Sequence, residues 1–112
     1  MTVKIMAKAL GLKIFCGGTD KDFDGVYTGD LLSWVMSRLS EDKVWITIMS
    51  NVNVVAVASL ADAACVILAE GVEPDPAALE AAKSKGVTLL GGEDDAYSLC
   101  VKISSFTGGT AE

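Results

Sequence analysis

At 112 residues, 51% of them apolar, the chain is long enough for one domain with a core of its own, and disorder is excluded. A formal charge of −6, with nine scattered Lys and Arg, argues against a nucleic-acid binder or a basic membrane-surface helix, because both need a positive face. No histidine is present, which removes the commonest general base, the commonest metal ligand and any Ser or Cys triad that depends on one.

In chain order, Val3, Met6, Ala7 and Leu10 recur at helical spacing, and Gly11 is placed to end that helix. Lys4 and Lys8 interrupt the apolar residues, so the segment is read as a helix and not as a signal peptide. "LKIFC" predicts a short strand stopped by Gly17-Gly18. An acidic turn follows. Asp30 is then expected to cap a second helix, "DLLSWVMSRLS", with Leu31, Leu32, Val35, Met36 and Leu39 as its apolar stripe. "KVWITIM" predicts a buried strand.

"SNVNVVAVASLADAA" is ambiguous. Its valines favour a strand, yet Asn51 or Asn53 can cap a buried helix reaching Ala63, and a strand would have to turn straight back after Ser50. A helix is the expectation. "CVILAE" predicts a strand covered on both faces. "EPDPAALEAAKSKG" predicts a helix with Asp75 at the cap, Pro76 at the first position and Gly86 after its end. "VTLLGG" predicts a fourth strand, and "DDAYSLCVKISSF" a last helix with Ala96, Leu99, Cys100 and Ile103 on one face. Residues 108–112 are expected to fray beyond a domain spanning 1–107.

Strands alternating with helices, no two strands in succession, predict a single-domain three-layer α/β fold: a mostly parallel sheet flanked by helices. Cys16, Cys65 and Cys100 are odd in number, widely spaced and set in apolar segments, which suits free thiols in a reducing cytoplasm. The longest apolar stretch, residues 52–69, carries Asn53, Ser59 and Asp62, so no membrane span is expected.

Three constellations bear on chemistry. There is no G-x-x-x-x-G-K-[ST] loop, and no G-x-G-x-x-G follows a strand. "DKDFDGVYTGDL" opens like an EF-hand loop, with Asp20, Asp22, Asp24 and Gly25 in place. Position twelve, however, is Leu31 where the ion requires a bidentate Glu, so calcium is a weak candidate. Gly17-Gly18 and Gly91-Gly92 each follow a predicted strand, and Asn51 and Asn53 follow another. If these turns share the carboxyl edge of a parallel sheet, they form a shallow ligand site together with Gly29 and Asp30.

The stretches "GVYTGDLLSWVM", "VWIT" and "NVNVVAVASLADAACVILAEGVEPDPAALEAAKSKGV", in this order and spacing, resemble the DRTGG-domain family. The motif that names the family is degraded: Asp20-Lys21 stands where members show Asp-Arg, and Asp24-Gly25-Val26 where they show Thr-Gly-Gly. Asn51 aligns with a His that similar members often carry. The resemblance implies a non-catalytic regulatory module like the amino-terminal part of HPr kinase/phosphorylase and the insert of CBS-type pyrophosphatases. It also implies a homodimer or a service role beside a partner enzyme, such as a hydrogenase-type redox system. Val26, Tyr27 and Trp34 are the expected dimer or partner contacts. An adenine nucleotide or other anion at the strand ends is the alternative, with no cofactor, nucleic acid or membrane required.

Overall fold

The computed structural model describes residues 1–107, and the expected fraying of 108–112 lies outside them. Helix α1 (Val3–Leu10) starts at Thr2, whose hydroxyl accepts from Ile5 N, and ends at Gly11 in the left-handed conformation. Strands β1 (Lys13–Cys16) and β2 (Gly25–Thr28) follow, then α2 (Leu32–Arg38), β3 (Lys43–Thr47), α3 (Val52–Ala61), β4 (Cys65–Leu68), α4 (Pro76–Lys85), β5 (Leu89–Gly91) and α5 (Ala96–Phe106).

The five strands form one sheet in the order β1-β5-β4-β3-β2. β2 to β5 are parallel and each is neighbour to the next, whereas β1 pairs antiparallel with β5. Crossovers of one hand that step steadily across a sheet put their helices on one face. Accordingly α2, α3 and α4 share a core with Trp45, Val66, Leu68 and Leu89, while α1 and α5 cover Val44, Ile46, Cys65, Ile67 and Leu90 on the other face. Adjacent residues of each central strand therefore feed opposite cores, which is why β3 and β4 are apolar without alternation.

The three-layer α/β class and the helical choice for Val52–Ala61 both hold; Asn51 caps that helix by accepting from Asn53 N at 2.9 Å. Three expectations are corrected. First, Gly25–Thr28 is a strand, so β1 and β2 do follow each other without a helix between them. The segment joining them crosses the amino-terminal edge of the sheet, pinned where Val3 N and Lys4 N donate to the carbonyls of Lys21 and Thr19 and where Phe23 enters the core.

Second, Asp30 does not cap α2. The cap is Leu31, without a side-chain bond, and the Asp30 carboxylate is held by β3. Third, the α2 stripe is narrower than predicted: Val35 and Leu39 are buried, but Leu31 and Met36 are exposed. α2 is the outermost helix of its face and packs against α3, so only the stripe of Val35 and Leu39 is covered.

Candidate functional site

The carboxyl ends of the parallel strands are bound together loop by loop. Ala69 N, after β4, donates to the Thr47 carbonyl of β3 at 2.9 Å, and Gly92 N, after β5, donates to the Leu68 carbonyl of β4 at 3.0 Å. Gly71 N returns to the Gly92 carbonyl at 2.9 Å and Glu70 N to the Asp94 carbonyl at 2.8 Å. Asp30 Oδ1 accepts from the buried Thr47 hydroxyl at 2.7 Å and from Ile48 N at 3.0 Å, clamping the end of β2 to the end of β3. Asp75, at the amino end of α4, likewise accepts from the Ser50 hydroxyl at 3.0 Å.

This edge brings Gly29, Asp30, Asn51, Asn53, Gly91 and Gly92 to one end of the molecule. It does not bring Gly17 and Gly18. Because β1 runs antiparallel, with Lys13 opposite Gly91 and Cys16 opposite Leu89, its carboxyl end falls at the amino ends of the other strands. The expectation of three turns on one edge assumed a parallel β1 and is corrected.

The glycines also answer to the chain's own packing. A Cβ on Gly91 would lie 2.5 Å from the Phe15 ring, one on Gly92 3.0 Å from Leu12, and one on Gly29 3.1 Å from the Tyr27 ring. Gly17, at φ +100°, would place a Cβ 2.4 Å from Thr88 Cα. The close approach that glycine permits is thus occupied by neighbouring residues. Of the predicted site glycines, only Gly18 faces open space.

Two shallow clefts remain at the strand ends. One, of about 210 Å³, lies between Thr28–Asp30, Ile46–Ile48, Glu70 and Ala96; the other, of about 150 Å³, is lined by Phe15, Lys13, Gly91–Glu93 and Gly71–Glu73. Asp30 and Glu70 face the first, Glu73 and Glu93 the second, and Lys13 lies 5.0 Å over the Phe15 ring. The amides of Gly29, Asn53, Gly71 and Gly92 already have carbonyl or side-chain acceptors. A nest of main-chain donors for phosphate is therefore not assembled from them, and the carboxylates around the clefts suit a donor-rich or cationic group better than an anion. Glu70, at the end of β4, has φ +59°, an uncommon conformation for a residue with a side chain.

The acidic segment does not close around an ion. Asp24 pairs with Lys43 at 2.6 Å, and Asp22 bridges to Thr2 and lies 3.9 Å from the amino terminus. β2 then runs extended through the residues that a calcium loop would fold back, carrying Asp30 to the far end of the strand from Asp20, Asp22 and Asp24. Among the described residues no three His, Cys, Asp or Glu side chains come together to hold a metal. Burial pushes the Cys65 thiol up to about 12, and partial burial also raises that of Cys100, so neither offers an activated thiolate.

The predicted contact residues do share one border of the molecule. Val26 and Tyr27 are half-buried in β2, whose outer side pairs with no strand among the described residues, and Trp34 on α2 is 57% exposed with Arg38 stacked on it at 4.2 Å. Sequence reasoning missed β2 itself. The acidic run before it and Gly29 after it make the segment read as one turn. The period-two signal is weak, although Val26, Tyr27 and Thr28 all favour strands.

Together these features define a small three-layer α/β domain with a single antiparallel edge strand. The chain belongs to the DRTGG domain family, whose sequence model matches residues 6–106. Among solved structures it is similar to the crystal structure of the CBS and DRTGG domains of the regulatory region of Clostridium perfringens pyrophosphatase, complexed with the activator diadenosine tetraphosphate. The TM-score is 0.70 at 13% identity, over 91% of this chain and 45% of that one. The chain therefore spans less than half of that regulatory region, and likeness at this identity speaks for the fold alone. No curated protein matches the chain. No helix among the described residues is long and apolar enough to cross a membrane.

Proposed function

We propose that the chain is a non-catalytic regulatory module that acts by recognition, forming a homodimer that works beside a partner enzyme. The observation that carries this reading is the border formed by β2 and α2. It couples an unpaired strand edge to exposed Leu31 and Trp34, and large apolar groups left in solvent beside an open edge are features of an interface. The strand-end clefts support it from the other side, since they hold carboxylates without a histidine, a metal group or an activated thiol to work with them.

Sedimentation velocity across micromolar to millimolar concentration tests the proposal and should return a mass of two chains. A monomer throughout, or turnover of a phosphoanhydride by the purified chain alone, would overturn it. The second reading, a nucleotide sensor, rests on the activator bound by the pyrophosphatase regulatory region. A thermal-shift series with adenine nucleotides addresses it, because a ligand of the folded state raises the midpoint. The acidic clefts and engaged amides lead us to expect no rise with the chain by itself.

A further inference from the structure

The proposed homodimer can be given a surface, and the assignment of that surface rests on the homodimer reading. The geometry points to β2 of a second copy as the partner of β2, the two edge strands pairing antiparallel about a two-fold axis to make one continuous ten-stranded sheet.

The two edges of the sheet differ in how they are protected. β1 carries Lys13 and a register irregularity between Ile14 and Cys16, both devices that discourage a further strand. β2, "GVYT", has no charge and no proline, and its register with β3 is unbroken from Gly25 to Thr28. An uncharged stretch matters in a chain of charge −6, since two copies repel except where they present neutral faces.

The helix above the edge completes the match. On α2, Val35 and Leu39 point into the core and Met36 leans toward α3, where it lines a groove with Leu60. Helical spacing puts Leu31, Trp34 and Arg38 on the opposite flank, toward the free edge. A two-fold axis normal to the sheet keeps both α2 helices on the same face and sets these flanks against each other. Trp34, near the middle of α2, would then meet its own copy close to the axis.

Charge fits the same arrangement. β2 extends about 13 Å and α2 runs back over it for about 10 Å, so Arg38 returns to the Gly25 end while Asp30 stays at the Thr28 end. Antiparallel pairing brings the Gly25 end of one copy beside the Thr28 end of the other. Each Arg38 is thereby carried toward the partner copy's Asp30, twice per dimer.

The test uses the whole chain. Trp34→Ala and Arg38→Glu change exposed side chains outside the core, and Val26→Pro removes an amide from the edge strand. Each should weaken dimerisation by about thirtyfold or more while circular dichroism stays that of the wild type. Hydrogen exchange of the wild type on dilution through the dissociation midpoint provides a readout free of variants, with the alternate amides that face away from β3, those of Val26 and Thr28, losing protection together as dimer is lost. If the wild type is dimeric but these variants are too, or if the amides of Val26 and Thr28 exchange independently of concentration, the edge-strand proposal fails and the homodimer reading survives. A monomeric wild type overturns both. Protection of the Val26 and Thr28 amides only when another protein is added would assign the edge to a foreign strand and overturn self-pairing.

Discussion

Gly17 and Gly18 are neighbours in sequence, yet the structure asks opposite things of them. Gly17 sits at φ +100°, where a side chain is strained, with Thr88 backbone in the place of a Cβ; Gly18 has open space around it. Gly17→Ala should lower stability by roughly 2–4 kcal/mol, and Gly18→Ala should be close to neutral, both read by chemical denaturation. Equal effects would show that the Thr88 contact is not what requires glycine. Asp30 makes a second residue-scale case. Asp30→Ala leaves the buried Thr47 hydroxyl and the Ile48 amide without their acceptor and should cost about 1–3 kcal/mol. Asp30→Asn, which keeps an oxygen there, should recover most of that stability. Neither bond was legible in the sequence, because Asp30 at the start of an apolar helix has the form of an N-cap and only the adjacency of β2 and β3 redirects its carboxylate.

Among the elements, the helices are the most legible and the short edge strands the least. α4 carries its own punctuation in Pro76 and Gly86, and α3 is capped by Asn51, as the residue types require. Asn51→Ala should cost about 1 kcal/mol, measured by thermal or denaturant unfolding. α5 offers a pH test. Asp95 caps it by accepting from Ser98 N at 2.8 Å, and that bond holds its carboxyl below the ordinary value of 3.8. A depressed carboxyl stabilises the fold above the unfolded value and loses that contribution as pH falls through the folded one. The difference in stability between wild type and Asp95→Ala should therefore be constant near neutrality and shrink below about pH 4. A difference that does not shrink at all as pH falls below 4 would mean the charged cap is not its source. β2 was missed because the acidic run before it and Gly29 after it make the whole segment read as one turn. β1 was found, but direction is invisible in a strand's own sequence. It emerges only from the partner, and it sends Gly17-Gly18 to the wrong edge for a site shared with Gly91-Gly92.

For the whole molecule, the two cores on either face of one sheet leave Cys65 fully enclosed. Its thiol is pushed from 9.0 to about 12 by desolvation, only partly offset by Lys21. Between those values the unfolded chain gives up the proton and the folded chain keeps it. Stability should fall as pH rises from 9 toward 12, by at most about 1.4 kcal/mol per pH unit from this group. Cys65→Ala or Cys65→Ser shifts the packing as well, so the cleaner readout is alkylation: at pH 8, iodoacetamide should leave Cys65 unmodified in the folded protein and modify it in denaturant. Rapid labelling of the native chain at Cys65 would contradict the burial.

The amino-acid sequence by itself determined the α/β class, four of the five strands, all five helices and the membership of the DRTGG family. The class and the elements depend on periodicity, caps and residue types that act within a few positions of one another, and the family on the match of long stretches in their order along the chain. Tertiary structure decided which strand lies at which edge, which way β1 runs, where the carboxylate of Asp30 goes and which glycines are filled by their neighbours. Those outcomes depend on residues such as Phe15 and Gly91, or Gly17 and Thr88, that are distant in the chain and meet only once the sheet has formed.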